Sequence, residues 1–392
     1  MKKQTQAIHL EYERRDAYDS LSVPVYNTLA YEFDNAAVMA EAFTDKIKAP
    51  DYSRVENPTV TNLERRIEAL TGAQHVTAFN SGMAAISNTL MALAAQGKNI
   101  VSSKHLFGNT YALLVATLRR FGVKVRLRDL TNIEEVREAI DEDTCCVFLE
   151  IITNPQLEVA DLKALSQVAH EKNVPLVADT TIIPFTQFSA KDLGVDIEVV
   201  SSSKYISGGA TSLGGVVIDY GTPYLGDFAK RLYGEMLFNF GAYMTPQVAY
   251  MQTLGLENLN ARYTLQSKNT LELATKLRTL KEIKKVNYVG FEDNPFHNIS
   301  VAQYGKTAGA MMTIDLESEQ KCFNFLNKLK LVKRATNLFD NKTLAIHPAS
   351  TIFGPFTAKQ RAEMDVFNTT IRLSVGLEDV DDLFEDIKQA LQ

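Results

Sequence analysis

Cysteine is scarce in this chain, and its three copies, Cys145, Cys146 and Cys322, form no pattern that a disulfide framework or a zinc site requires. Small secreted domains use even sets of spaced cysteines, and structural zinc needs paired Cys or His ligands. Cys145 and Cys146 lie on a predicted strand, where neighbouring side chains point to opposite faces, so we expect core positions rather than a common site. This usage predicts a reduced, cytoplasmic setting without disulfides or metal.

The sequence also lacks a surplus of positive charge and a long apolar run. Lys and Arg total 41 against 47 Asp and Glu, a formal net charge of −6, so the basic field of non-specific nucleic-acid binding is missing. No window approaches the roughly 18 apolar residues of a membrane span. Residues 1–16 contain no apolar segment of a signal peptide. The remaining expectation is a cytoplasmic α/β enzyme without nucleic-acid or membrane partners.

The 392 residues of the chain provide for two or three domains. Residues 1–58 lack sustained periodicity, and we interpret them as an extended arm with one short helix near 36–43. An arm of this length cannot bury itself, so we expect it to pack on a neighbouring subunit. Residues 59–245 alternate helical patterns with β-branched runs, which predicts βαβ units and a mostly parallel sheet. Residues 246–392 are expected to form an α+β domain.

Polar residues follow the predicted strands, at the edge where open α/β sheets bind ligands. They are Asn80, Ser81, Gly82 and Met83 at a helix start, Thr153, Asn154 and Pro155, then Asp179, and finally Ser201, Ser202, Ser203 and Lys204. Since the carboxyl ends of parallel strands meet at one edge, we expect a single cleft. That cleft would contain a helix N-terminus, an amide, a carboxylate, several hydroxyls and a lysine.

Each of these features alone has an ordinary structural explanation. Ser81 before a helix is most often only a cap, and a lone lysine is most often solvated. Together they match the needs of pyridoxal phosphate, which are a helix start for the phosphate, an acid for the pyridine nitrogen and a lysine that forms a Schiff base. Sequence motifs of dinucleotide, P-loop and zinc-protease sites are absent. Asp179 and Lys204 are therefore the candidate acid and lysine.

Seven short motifs occur in order along nearly the whole chain. They are YSRVENPT (52–59), NSGMAA (80–85), TNP (153–155), VADTT (177–181), SSSKY (201–205), KTLAIHPAST (342–351) and IRLSVGLEDVDDL (371–383). Together they resemble the Cys/Met-metabolism (trans-sulfuration) family of pyridoxal phosphate enzymes. The resemblance implies the α/β, type I (aspartate-aminotransferase-like) fold, with a mostly parallel sheet domain, a smaller α+β C-terminal domain and a homodimeric or homotetrameric assembly.

The resemblance also implies roles for residues at matching positions. Lys204 corresponds to the catalytic Schiff-base lysine, Asp179 to the partner of the ring nitrogen, and Arg372 to the residue that holds the substrate carboxylate. The further cofactor-binding positions are Ser81, Gly82, Met83, Phe107, Asn154, Thr181, Ser201 and Ser203. Tyr52 and Arg54 are expected to reach the phosphate bound in the neighbouring subunit.

The chain departs from the family pattern at several positions. Phe107 stands where most members have a tyrosine that stacks on the ring, so proton transfer falls to Lys204 or another group. The other replacements are Asn337 for a serine near the substrate carboxylate, Val200 and Gly209 for two histidines, and residues 352–354 for a Thr-His-Ser type segment. These replacements leave the cofactor prediction unchanged and bear on the choice of substrate.

The implied function is a γ-replacement on a small amino-acid substrate. LFGNT (106–110) and KTLAIHPAST are most similar to the O-acetylhomoserine sulfhydrylase branch of the family. There, sulfide or a thiol displaces acetate and gives homocysteine or a methionine-type product. One alternative is a γ-lyase that converts methionine or cystathionine to 2-oxobutanoate and ammonia. A catalytically inert relative is another alternative, suggested by the lost tyrosine and histidines.

Overall fold

The computed structural model describes residues 2–10, 16, 18–44 and 46–392. Its strands are β1 (His75–Phe79), β2 (Asn99–Ser103), β3 (Lys124–Arg128), β4 (Thr144–Glu150), β5 (Leu176–Asp179), β6 (Ile197–Val200), β7 (Gly215–Asp219), β8 (Lys285–Asn287), β9 (Met311–Asp315), β10 (Lys333–Arg334), β11 (Leu344–Ile346) and β12 (Thr370–Ser374).

The α-helices are α1 (Lys3–His9), α2 (Ala36–Ala42), α3 (Pro58–Thr71), α4 (Gly82–Leu93), α5 (Gly108–Ala112), α6 (Ile133–Ala139), α7 (Leu162–His170), α8 (Phe228–Arg231), α9 (Phe238–Phe240), α10 (Pro246–Glu257), α11 (Leu259–Leu277), α12 (His297–Tyr304), α13 (Glu319–Lys328), α14 (Ala358–Glu363) and α15 (Val380–Leu391). In the part of the chain that the structure describes, none of the helices combines the length and the apolar character that crossing a membrane requires.

The larger sheet contains the predicted βαβ units. Its seven strands lie in the order β1-β7-β6-β5-β4-β2-β3. Strand β7 pairs antiparallel with both β1 and β6, whereas β2, β3, β4, β5 and β6 pair in parallel. The prediction of a mostly parallel sheet is thereby confirmed, and the carboxyl ends of the parallel strands share one edge.

Both faces of this sheet are buried, because alternate residues of each strand enter different apolar clusters. In β4, Phe148 packs into the cluster that contains Leu90 of α4. Its neighbours Val147 and Leu149 pack into the cluster on the opposite face. Burial on both faces explains the long apolar run within β4. The one charged residue of β4, Glu150, stands at the strand end, where the candidate site lies.

The smaller sheet has the order β10-β11-β12-β9-β8 and is antiparallel except for the pair β10–β11. Its strands occur together with α11, α13 and α15, as expected for an α+β arrangement. The strand β12 lies between β11 and β9, and Arg372 stands opposite Thr313 in its register. A central strand holds this side chain in a fixed position.

The cysteines are free, and their burial differs from the expectation at one position. Cys146 and Cys322 are fully buried, as predicted for core residues. Cys145 is only partly buried, and its Sγ lies 3.3 Å from the carbonyl oxygen of Asn99. The two neighbouring cysteines thus have unlike surroundings, which agrees with their opposite directions on the strand.

The prediction of one short helix in the N-terminal arm is wrong, because α1 precedes the expected helix α2. Lys3 Nζ in α1 donates to the carbonyl oxygens of Phe185 and Phe188, each at 2.8 Å. Arg66 donates to the carbonyl oxygen of the buried Ala7 at 2.8 Å. These partners are remote in sequence, so local periodicity could not reveal the helix. Residues 1, 11–15, 17 and 45 of the predicted arm lie outside the described residues.

Residues 109–122 show a helical pattern in the sequence, which predicts one continuous α-helix, and this prediction is wrong. After α5 the chain forms a π-helical segment, Leu113–Thr117, and then a 3-10 segment, Leu118–Phe121. Leu113, Leu114 and Leu118 are nevertheless buried. The wider and the tighter turn together keep these side chains on the core face, which a pattern of regular period does not predict.

Phe148 is suited to a test of the sheet core. We expect Phe148→Ala to lower the free energy of unfolding by about 3–5 kcal/mol, because the fully buried ring leaves a cavity between β4 and α4. Chemical denaturation followed by circular dichroism measures the change. Phe121→Ala is the matched control, because that ring is 60% exposed, and equal losses in both variants would contradict the packing described.

Candidate active site

The candidate site lies at the shared carboxyl edge of the larger sheet. Strands β4 and β5 end at Glu150 and Asp179, which are partners in the parallel register. Residues 201–204 follow β6, and α4 starts at Gly82, directly after the turn that leaves β1. These strand ends and the start of α4 lie at the sheet edge where the sequence analysis predicted a single cleft.

The start of α4 provides free backbone N–H groups next to the loop after β6. Ser81 caps the helix, and its Oγ accepts from the N–H of Ala84 at 3.1 Å. A Cβ on Gly82 would lie 2.6 Å from Cβ of Ser201, so only glycine permits this approach. Met83 is half-buried in the first turn. A helix start with uncapped N–H groups and its positive dipole end favours an anion such as phosphate.

Hydroxyl groups fix the loop that carries the lysine. Thr181 Oγ1 accepts from the N–H of Ser201 at 2.8 Å. Ser203 Oγ donates to the carbonyl oxygen of Gly214 at 3.0 Å and accepts from the N–H of Gly214 at 2.9 Å. The Ser203 hydroxyl is thus engaged by the backbone, and its part in the site is to hold the loop.

Lys204 points toward the smaller sheet. Its Nζ donates to Asn337 Oδ1 at 2.7 Å. Burial and the nearby charge of Arg372 lower the pKa of Lys204 to about 8, against the opposing effect of Asp179. A lysine amine of lowered pKa is neutral, and therefore nucleophilic, at a lower pH than a solvated one.

Asp179 is a buried carboxyl group at the end of β5. Burial raises its pKa, while a hydrogen bond from the N–H of Thr181 at 2.9 Å and the charge of Lys204 act in the opposite direction. No Lys or Arg of the described residues forms an ion pair with it at 4.0 Å or less. Such a carboxyl group is suited to a cationic N–H, which the protonated ring of a pyridine cofactor supplies.

Arg372 is buried, with 2% of its surface exposed, and has neutral hydrogen-bond partners. Its Nη1 donates to Asn154 Oδ1 and its Nη2 to the carbonyl oxygen of Asn337, both at 3.1 Å. Its Nε is buried without a partner among the described residues. Burial lowers the pKa of Arg372 to about 9. A buried guanidinium without an anionic partner is suited to a ligand carboxylate.

Glu150 is a site residue that the sequence analysis missed. Its Oε1 accepts from the N–H of Phe107 at 2.6 Å and its Oε2 from the N–H of Asn154 at 3.3 Å. Burial and the neighbouring Asp179 raise the pKa of Glu150 to about 8. The apolar run 144–152 predicts one buried strand and hides the acid within it. A carboxylate near the end of such a strand, as at Asp179, is the signal that could have identified Glu150.

Hydrogen bonds join five of the predicted site residues into one network through Glu150, and Tyr52 and Arg54 are among those that lie outside it. Hydrogen bonds connect, in order, Phe107, Glu150, Asn154, Arg372, Asn337 and Lys204. Tyr52 is 41% exposed, and Arg54 Nη1 donates to the carbonyl oxygen of Phe238 at 2.5 Å. In the described part of the chain neither contacts this network. Their action in a neighbouring subunit stays a prediction.

Two departures from the family pattern have a structural reason. Gly209 has a φ of +132°, and a Cβ there would lie 2.3 Å from Asn341 Nδ2, so this backbone does not accommodate a histidine. A Cβ on Gly108 would lie 2.5 Å from the carbonyl oxygen of Ile352. The divergent residues 352–354 therefore pack against α5, the helix that follows Phe107. Val200 is a core residue.

The residues present fit pyridoxal phosphate. Lys204 offers an amine of lowered pKa, Asp179 a carboxyl group without an ion-pair partner, and α4 a helix start. The Nε of Arg372 is buried without a partner among the described residues, so one donor remains for a further anionic group. Lysine, acid and phosphate site thus occur together at one edge of the sheet.

Comparison with known proteins gives the family. A family model described as Cys/Met metabolism PLP-dependent enzyme matches residues 4–392. The chain belongs to this family. It is accordingly an enzyme, and its cofactor is pyridoxal phosphate. The resemblance inferred from the seven motifs is confirmed.

Relatives in the family include proteins named as methionine gamma-lyases and proteins named as O-acetylhomoserine sulfhydrylases. The chain is 36% identical to an L-methionine gamma-lyase of Fusobacterium nucleatum, over 99% of this chain and 97% of the relative. It is 34% identical to O-acetyl-L-homoserine sulfhydrylase 1 of Thermus thermophilus, over 100% of both. A solved structure from Campylobacter jejuni, described as an O-acetylhomoserine (thiol)-lyase with N'-pyridoxyl-lysine-5'-monophosphate, covers 100% of both chains with a TM-score of 0.96 and 32% identity.

The pKa of Lys204 predicts the pH at which its amine becomes reactive. Only the neutral amine attacks an aldehyde, so the rate of pyridoxal phosphate uptake by the apo-protein should rise with pH through a midpoint near 8, not near 10.5. Stopped-flow absorbance across the neutral and alkaline range measures this rate. A midpoint typical of a solvated lysine would contradict the buried setting described.

Proposed function

We propose that this enzyme replaces the γ-substituent of O-acetylhomoserine with sulfide or a thiol. The Cγ–O bond breaks, acetate leaves, and a Cγ–S bond forms, giving homocysteine or a methionine-type thioether. When bound, pyridoxal phosphate supplies an electron sink beside the substrate α-carbon. Support comes from the site geometry and from sulfhydrylases among the relatives. Further support comes from Phe107, which bears on the choice between γ-replacement and a γ-lyase reaction.

Arg372 and Asn337 are proposed to hold the substrate. The guanidinium binds the α-carboxylate, because its Nε is buried without a partner and its Nη atoms are held only by neutral oxygens. Asn337 accepts from both Arg372 and Lys204, at its carbonyl oxygen and its Oδ1 respectively. Through this residue the carboxylate site and the lysine amine keep a fixed separation.

Lys204 and Asp179 are proposed to control protons. Lys204 Nζ removes the proton from the substrate α-carbon and returns it along the substrate, for which a pKa near 8 is well matched. Asp179 holds the proton on the ring nitrogen. Ser81, Gly82, Met83 and Ser201 would hold the cofactor phosphate at the start of α4, where Ser81 caps the helix and Thr181 fixes the loop of Ser201. Asn154 would hold the phenolic oxygen.

The observation that carries the choice of reaction is the side chain of Phe107. It is half-buried, and its backbone N–H is held by Glu150. A phenylalanine can stack on the ring, yet it has no hydroxyl that could donate a proton to a leaving group. Acetate is a weak base and leaves without protonation, whereas an alkylthiolate is a stronger base and benefits from an acid. The site therefore favours an ester substrate over methionine.

A γ-lyase reaction is the second candidate, favoured by the 36% identity to the L-methionine gamma-lyase of Fusobacterium nucleatum. Lys204, Asp179, Asn337 and Arg372 would serve both reactions, because both start at the substrate α-carbon. The two reactions diverge once the γ-substituent has left. Addition of sulfide gives homocysteine, and release without addition gives 2-oxobutanoate and ammonia.

We also propose that the active site is shared between subunits of a homodimer or homotetramer. Residues 1–58 would form the arm, 59–245 the cofactor domain and 246–392 the C-terminal domain. In the arm, Tyr18, Leu21 and Leu29 are 90%, 84% and 66% exposed, as expected of a surface that a neighbouring subunit covers. Tyr52 and Arg54 follow this surface and would reach the neighbouring phosphate. The cytoplasmic location stays a prediction.

Product analysis tests the proposed reaction. With O-acetylhomoserine and sulfide we expect homocysteine and acetate in equal amounts, and with methionine alone little 2-oxobutanoate, because Phe107 offers no acid to the thiolate. Chromatographic quantification of homocysteine, acetate and 2-oxobutanoate gives the result. Accumulation of 2-oxobutanoate from either substrate, without homocysteine, would establish the γ-lyase instead.

Replacement of the lysine tests the site itself. Lys204→Ala should abolish turnover and the visible absorbance band of the bound cofactor, because no amine remains to hold the aldehyde. Lys172→Ala, at an exposed lysine, is the control and should behave as the parent protein. Full activity of Lys204→Ala would refute the assignment. A parent protein that stays colourless with added cofactor would support an inert relative.

A further inference from the structure

Glu150 connects two loops that leave neighbouring strands of the larger sheet. One loop follows β2 and leads to Phe107, and the other follows β4 and contains Asn154. The carboxylate uses each of its oxygens for one loop, with Oε1 2.6 Å from the N of Phe107 and Oε2 3.3 Å from the N of Asn154. One side chain thus fixes the backbone at two separate positions.

The two residues held in this way face the cofactor position from different elements. Phe107 is the ring-stacking residue of the proposed site, and Asn154 is the residue expected at the phenolic oxygen. Asn154 also accepts from Arg372 through its Oδ1 at 3.1 Å. A displacement of Glu150 would therefore be passed to the ring face, to the phenolic oxygen and to the carboxylate site.

The position of Glu150 is unfavourable for a carboxylate that serves stability alone. Glu150 is 7% exposed, and it lies opposite Asp179 in the pairing of β4 with β5. Burial and a neighbouring carboxyl group both oppose its ionised form. Two backbone N–H donors oppose this effect only in part. An acid at this buried position lowers the stability of the fold, and the fixed position of the two loops is the effect that would offset this loss.

We propose that Glu150 is a positioning residue that sets Phe107 and Asn154 against the cofactor by accepting one N–H bond from each loop. The inference rests on the cofactor site proposed above. Glu150 itself touches neither cofactor nor substrate in this arrangement. Its effect is measured as cofactor affinity and as the order of the two loops.

Glu150→Gln is the decisive variant, since it keeps the shape and offers one acceptor oxygen while its amide NH₂ faces the other N–H. We expect amide hydrogen exchange in the apo-protein to accelerate about tenfold in a peptide covering residues 105–110, 151–157 or both, because one hydrogen bond from the backbone to the side chain is lost. We expect the dissociation constant of pyridoxal phosphate to rise about tenfold for the same reason. Exchange mass spectrometry and equilibrium absorbance titration provide these values.

Glu64→Gln is the matched control. The Glu64 carboxylate also accepts from a backbone N–H, that of Ala78 at 2.8 Å, and burial likewise raises the pKa of Glu64 to about 8. Its partner lies within β1, so this variant should leave both loops and the cofactor affinity unchanged.

Three outcomes overturn the inference. Unchanged exchange at both loops in Glu150→Gln shows that the carboxylate does not hold them. Faster exchange with parental cofactor affinity shows a purely structural role. Equal loss of cofactor affinity in Glu64→Gln shows a general effect of losing a buried acid. By contrast, a parent protein that binds no pyridoxal phosphate refutes the proposed function itself and is recognised before either variant is measured.

Discussion

The buried guanidinium of Arg372 is the constraint on which the site depends. It lies in the central part of the smaller sheet and reaches Asn154, which follows β4 of the larger sheet. Only neutral oxygens accept its hydrogen bonds among the described residues. Its charge therefore lacks a counterion until a ligand carboxylate binds. Because burial of an unpaired charge is unfavourable, the protein gains most from an anionic ligand at this place.

In contrast to the cationic Arg372, the ends of the parallel strands carry acidic side chains. Glu150 and Asp179 lie next to each other, and burial raises the pKa of both carboxyl groups. Lys204 is positioned between this acidic edge and Arg372, and the Arg372 charge contributes to its lowered pKa. The site thus separates carboxyl groups at the strand ends of the larger sheet from a guanidinium on the smaller sheet, and both affect the pKa of the lysine amine.

Patterns in the sequence sufficed for the parallel sheet and for the strand ends near which Asp179 and Lys204 lie, because period and strand ends are local features. The motifs added Arg372, whose partners are too far along the chain for any local pattern. Helix α1 was missed because its contacts are with residues 66 and 185–188. Glu150 was missed because the apolar run continues on both sides of it. Tertiary contacts thus explain why α1 escaped prediction, and the change to a π-helical segment at Leu113–Thr117 shows that a regular period does not always give the helix type.

The division of the site between two sheets has a kinetic consequence. The groups assigned to the cofactor come from the larger sheet, whereas Arg372 and Asn337 come from the smaller sheet and the segment before β11. A small displacement of one sheet relative to the other would change the hydrogen bond between Arg372 and Asn154 that joins them. Under the proposed assignments, residues remote from the chemistry would therefore affect substrate saturation through the relative position of the two sheets.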